Sequence, residues 1–138
     1  MAYPNLSQEK KLWRRGYRVV AGLDEAGRGP LAGPVVAASV AILDTKYKIL
    51  DTRIRDSKQL SPWQRERFYK ILVNSQWLEW GIGTVSNKMI DKINILEATK
   101  LAMKKAIANL SRKIQTNEKP TIVGKWSKTH DRRNLVKL

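Results

Sequence analysis

Asp24 and Glu25 stand side by side in the chain, and Gly27-Arg28-Gly29 follows almost at once. Paired carboxylates are hard oxygen donors suited to Mg²⁺ or Mn²⁺. Glycines tolerate positive φ and expose their amides, so a phosphate can approach the backbone there. Arg28 adds a guanidinium to the same stretch, and Pro30 and Pro34 stiffen the way out of it. The residue types describe a metal and phosphate site. A solvated turn whose acids and arginine neutralise one another would use the same residues; the density of glycine and proline around the pair favours the site.

Two apolar runs must position this constellation. Val19-Val20-Ala21 before it and Val35 to Leu43 after it both read as buried strands. The acids then sit where the first strand ends. Neighbouring side chains on a regular strand point to opposite faces, so the pair shares one site only if the backbone leaves β geometry about there.

The remaining elements follow from pattern and punctuation. Ser7 to Arg18 is a basic lead-in that suits a short amphipathic helix anchored by Leu6 and Trp13. Asp44 to Asp56 alternates charge with isolated apolar residues and reads as a surface connection. Ser61-Pro62-Trp63-Gln64 has the signature of a helix start, with a serine N-cap, proline at the first helical position and glutamine placed for a capping box; the helix should run to about Gln76, with Phe68, Ile71 and Leu72 on one stripe. Trp77 to Val85 is aromatic and β-branched and reads as a third strand, its tryptophans being core or cover. From about Asn87, Ile90, Ile93, Leu96, Met103, Ile107 and Leu110 fall at helical spacing, which predicts a long helix over the sheet, broken near Asn94. Asn94 suits a cap, or a phosphate contact. Thr121-Ile122-Val123 is a brief β-like run.

With 27 Lys+Arg against 12 Asp+Glu, the formal net charge is +15. That excess favours a polyanionic partner and salt-sensitive binding. The chain has no cysteine, which excludes disulfides and thiolate metal sites. The apolar run after Pro30 is too short to span a bilayer, so no membrane role and a cytoplasmic address are expected. No G-x-x-x-x-G-K-[S/T] spacing is present, which weakens any reading as a phosphate-loop nucleotide enzyme.

The string from Leu23 to Pro34, LDEAGRGPLAGP, resembles the first motif of the ribonuclease HII family, the type 2 ribonucleases H. Asp56-Ser57-Lys58-Gln59-Leu60-Ser61 is similar to that family's DSK-x-L-S motif, and Ile93 to Thr99 to its INI-x-x-A-T helix segment. The likeness covers residues 17–123. It implies an α/β, ribonuclease H-like mixed sheet, three antiparallel strands then a parallel one, with flanking helices. It also implies that Asp24 and Glu25 are catalytic metal ligands for Mg²⁺ or Mn²⁺, and that Gly27, Arg28 and Gly29 recognise a ribose 2′-hydroxyl. In the family pattern Lys58 faces the nucleic-acid backbone; a solvated loop lysine is the plain alternative. The implied partner is an RNA–DNA hybrid, or duplex DNA with embedded ribonucleotides, cut on the 5′ side of a ribonucleotide by two metal ions.

The likeness stops after Val123. The family strand at this point ends in an aspartate followed by glycine, the third acidic ligand, where this chain reads Ile122-Val123-Gly124-Lys125. Nothing in residues 124–138 matches the helix that carries the fourth. The expected organisation is one incomplete domain over 1–138, with a divergent basic tail from 124, as a truncated or frame-disrupted product would show. Asp131, beside His130, is set among Lys128, Arg132 and Arg133, which suits a solvated tail rather than a replacement ligand. Two functions follow: the endonuclease just outlined, or a catalytically impaired fragment that binds nucleic acid through its basic surface.

Overall fold

The structure, a computed structural model, describes residues 5–30, 32–43 and 54–114 and the backbone of 121–124. Most of the expected surface connection from Asp44 to Asp56, and the tail beyond Gly124, lie outside the described residues. Helix α1 spans Ser7–Arg14, strand β1 Val20–Ala26 and strand β2 Val35–Ile42. A 3₁₀ turn at Ser57–Gln59 leads to helix α2, Pro62–Val73, and then to strand β3, Leu78–Val85. Helix α3, Asn87–Lys113, and strand β4, Thr121–Gly124, complete the order.

The sheet order is β3-β2-β1-β4. β1 and β2 pair antiparallel, as do β2 and β3, while β4 runs parallel to β1 with Gly124 level with Leu23. This is the α/β arrangement implied by the likeness, three antiparallel strands and then a parallel one. Burial along β2 alternates as a one-sided strand requires: Val35, Ala37, Ser39 and Ala41 are buried, and Val40 between them is exposed.

α3 covers the buried face, and small residues make the contact. Ala98, Ala102 and Ala106 pack with Val35, Ala37 and Val85. Opposite them on β3 lie Gly81 and Gly83. A Cβ on Gly83 would strike the backbone oxygen of Ala102 and lie 2.6 Å from the nitrogen of Ala106; one on Gly81 would strike the oxygen of Ala106. The helix therefore rests on bare strand backbone. Of the expected apolar stripe, Leu110 is buried and Ile90, Ile93, Met103 and Ile107 pack against the core, while Leu96 is 40% exposed; the alanines, which that stripe left out, take the places nearest the bare strand.

α3 is two helical segments joined at Asn94, whose φ of 68° breaks the helix. Its Oδ1 accepts from Glu97 N–H at 3.0 Å and so caps the second segment. The break and the capping role are as expected. At the other end of the packing, α3 also seals the sheet edge. Asn109 Nδ2 donates to the Ile82 carbonyl at 2.6 Å and Lys105 Nζ to that of Thr84 at 3.0 Å, while Trp80 N–H donates to Glu79 at 3.1 Å. Two carbonyls and one N–H of β3 that could pair with another strand are thereby occupied.

α1 buries Leu12, with Leu6 and Trp13 only half-buried, so the anchor is one residue away from the expected pair. α2 begins as its sequence predicts: Ser61 N–H donates to Gln64 Oε1 at 2.8 Å, and Gln64 N–H to Ser61 Oγ at 3.2 Å. It ends three residues earlier than expected and has no fully buried residue; Phe68 and Leu72 are half-buried, and Ile71 is exposed. No helix among the described residues is long and apolar enough to cross a membrane.

One core group has no partner. Ser39 is fully buried beneath α3, and its hydroxyl makes no hydrogen bond among the described residues. An unsatisfied buried hydroxyl costs about 1–3 kcal/mol. Ser39→Ala is therefore expected to raise stability by about 1 kcal/mol, read as a higher Tm or denaturant midpoint.

Candidate metal and nucleic-acid site

β1 places both acids in its last three residues. Asp24 pairs with Ala38 and Glu25 with Ala37, and the ladder continues to Ala26 opposite Val36. Strand geometry thus runs through both acids, and their side chains leave opposite faces of the sheet. The expected departure from β geometry comes at Gly27 instead, where φ is 93°. The paired register with β2 is what holds the backbone extended up to that point.

Gly27 closes the connection. A Cβ there would strike the Pro34 carbonyl oxygen and lie 3.3 Å from the Cα of Val35, so only glycine lets the loop fold back to the start of β2. Gly29 faces open space: a Cβ added there would meet nothing within 4 Å. The bend is accessible, with Gly29 and Pro30 exposed.

Each acid has a local partner. Glu25 N–H donates to Asp24 Oδ1 at 2.9 Å, which turns the exposed Asp24 carboxylate towards its own strand end. Arg28 Nη1 donates to Glu25 Oε1 at 3.3 Å in a part-buried ion pair. Arg28 and Glu25 are thus brought together. Lys58 is not brought to them: it sits on the separate 57–59 turn, and its ammonium makes no ion pair among the described residues.

That turn is held from two sides. Lys58 N–H donates to Asp56 Oδ1 at 2.9 Å. Arg65, from the first turns of α2, donates through Nη1 to the carbonyls of Leu60 at 2.6 Å and Ser57 at 3.2 Å. Helical spacing puts Gln64 and Arg65 one turn before Phe68, Ile71 and Leu72 on the same stripe, but gives no sign of the bonds from Arg65 to the turn. Arg65→Ala is expected to loosen the turn without unfolding α2. The amides of Gln59 and Leu60, bonded to Asp56 and Ser57, should exchange hydrogen about tenfold faster, the scale of one charge-assisted bond.

The donor set can be tested against a metal. Two carboxylates are right in kind for Mg²⁺ or Mn²⁺, which keep waters and take substrate phosphate oxygens beside one or two acids. Among the described residues no group of three or more His, Cys, Asp or Glu converges. The strand end beside the acids, β4, finishes in Ile122-Val123-Gly124 with no carboxylate. Each acid is right in kind for an ion that keeps its waters, but the two leave opposite faces of β1 and no third carboxylate joins either among the described residues, which falls short of the ligands that a pair of ions requires.

The Ribonuclease HII family model matches residues 21–135 of this chain. The chain belongs to the ribonuclease HII family. That match runs past residue 123, where the likeness by motif ends. Ribonuclease HII of Acetivibrio thermocellus is 50% identical over 102 residues, covering 74% of this chain and 38% of that protein. This chain therefore spans well under half the length of that relative. Among solved structures, ribonuclease H2 of Pyrococcus horikoshii is 36% identical with a TM-score of 0.55, over 77% of this chain and 49% of the other. Aquifex aeolicus RNase H3, at 20% identity, shares the fold with a TM-score of 0.60 over 92% of this chain and 52% of its own.

Proposed function

We propose that the chain is a ribonuclease H endonuclease that hydrolyses the RNA strand of RNA–DNA hybrids, on the 5′ side of a ribonucleotide at a junction. One observation carries the reading: Asp24-Glu25-Ala26-Gly27-Arg28-Gly29 lies at the end of a central strand, within a family match, and opens into an exposed bend. Asp24 and Glu25, one from each face of the strand end, would hold a divalent ion, Mg²⁺ or Mn²⁺. When bound, such an ion polarises a phosphoryl oxygen and activates water. Gly27 and Gly29 offer backbone amides, and Arg28 a guanidinium, to the ribose at the junction. Lys58 places a compact charge on the phosphates. A second ion, as two-metal hydrolysis requires, calls for further oxygen ligands.

A second reading is a nucleic-acid-binding module without catalysis. It is favoured by the valine and glycine that end β4 beside the acids. A duplex with a single embedded ribonucleotide, incubated with Mn²⁺ or EDTA, separates the two. Metal-dependent nicking 5′ of the ribonucleotide is the expected result for the endonuclease. Binding that weakens with salt but yields no nick would establish the module.

A further inference from the structure

A second basic hollow lies behind the turn that carries Lys58. Its volume is about 250 Å³, and it is lined by Arg55, Gln59 and Leu60 on one side and by Trp63, Arg67 and Phe68 of α2 on the other. Two arginines face it, and among the described residues that line it none is a carboxylate. Glu66, the acid nearest in sequence on α2, is paired with Lys70 at 3.7 Å.

Trp63 is the unexplained residue. At 69% exposure it is the most exposed large apolar side chain among the described residues. It stands one residue after the proline that starts α2, on a helix turn fixed by the Ser61–Gln64 capping box. The Arg67 guanidinium lies 5.8 Å from its ring centroid, a cation–π arrangement that steadies the indole and adds positive charge beside it. A core role does not account for such a ring, and no described element covers it. A flat aromatic surface flanked by guanidinium groups is how proteins take up unpaired bases in any sequence, the ring stacking and the cations facing the phosphates.

We propose that this hollow is a stacking subsite for an unpaired nucleobase, on a single strand that leaves the hybrid past Lys58. The idea rests on the reading of the chain as hybrid-binding and adds to it a preference for hybrids with a single-stranded extension. Trp63 supplies the stacking surface. Arg55 and Arg67 meet the phosphates on either side of the base.

The test measures fluorescence anisotropy of the full chain with four labelled probes: a blunt RNA–DNA hybrid, the same hybrid with a short overhang on its 5′ or 3′ end, and the overhang strand alone. The expected result is about tenfold tighter binding of at least one overhang probe than of the blunt hybrid, the scale of one stacked base. Trp63→Ala should abolish that advantage and Trp63→Phe should keep most of it. An equal overhang advantage in wild type and Trp63→Ala, or no advantage in wild type, would overturn the subsite. So would a loss of affinity on Arg67→Ala with none on Trp63→Ala, since phosphate contact alone would then suffice. A failure of the functional reading looks different: the blunt hybrid goes unbound while a Trp63-dependent affinity for the overhang strand alone persists. That result would leave the subsite standing.

Discussion

Gly83→Ala is expected to destabilise the fold by about 3 kcal/mol or more, from a single added methyl group. The methyl would strike the Ala102 carbonyl oxygen and lie 2.6 Å from the Ala106 nitrogen and 2.8 Å from the Lys105 Cβ. Two of these are helix backbone, which cannot swing aside as a side chain would. Relief requires α3 to lift from β3 along the line where Ala98, Ala102 and Ala106 pack, and that opens the larger core cluster. A domain of this size is held by only about 5–15 kcal/mol, so the loss is a large share of the total. Thermal melts should show Tm lower by roughly 10 °C. Gly22→Ala is the matched control, because a Cβ there meets nothing within 4 Å; it should change stability by about 0.5 kcal/mol or less. Equal Tm values for the two variants would mean that α3 does not rest on bare strand.

The same contact shows where sequence reading stops. The strands, the Ser61–Gln64 capping box and the break at Asn94 were legible because each is written in neighbouring residues: a run of β-branched and apolar types, a cap with its partner three positions on, an asparagine in a helical pattern. The face of α3 that meets the sheet was legible in part: Leu110 is buried and Ile107 packs on the core, as helical spacing implies. Hydrophobic periodicity also weights Leu96 above alanine, yet the glycines of β3 select the alanines, and that pairing is visible only once strand and helix are stacked. Arg65 reaches carbonyls up to eight residues away, and Lys105 and Asn109 reach a strand that precedes their helix; such bonds depend on tertiary placement, not on local pattern. At the candidate site, the sequence offers residue types and leaves their orientation open. Pairing with β2 continues to Ala26, so the strand stays extended through Asp24 and Glu25 and they leave opposite faces; where that pairing stops depends on the partner strand and not on the local sequence.

Orientation bears directly on Asp24→Asn, expected to have the largest effect on chemistry. Asparagine keeps the shape and can still accept the Glu25 N–H now bonded to Asp24 Oδ1 at 2.9 Å, so the strand end and Tm should be preserved. What is lost is one negative charge on the exposed side of β1. If the chain nicks an embedded ribonucleotide, the variant should do so about 10²- to 10³-fold more slowly, the scale on which removal of one preorganised charge-stabilising group acts. Mn²⁺ affinity, measured by titration calorimetry, should fall about tenfold or more. Hybrid binding in EDTA should stay the same or tighten slightly, because a carboxylate facing a polyanion has gone. Glu25→Gln differs in one respect: it also releases Arg28 from its ion pair, so its effect on hybrid affinity should exceed that of Asp24→Asn. If one ion bridges both faces at the strand end, the double variant should lose little more Mn²⁺ affinity than either single one, whereas independent sites would give additive losses. Unchanged Mn²⁺ affinity together with unchanged nicking in Asp24→Asn would remove Asp24 from the ligand set.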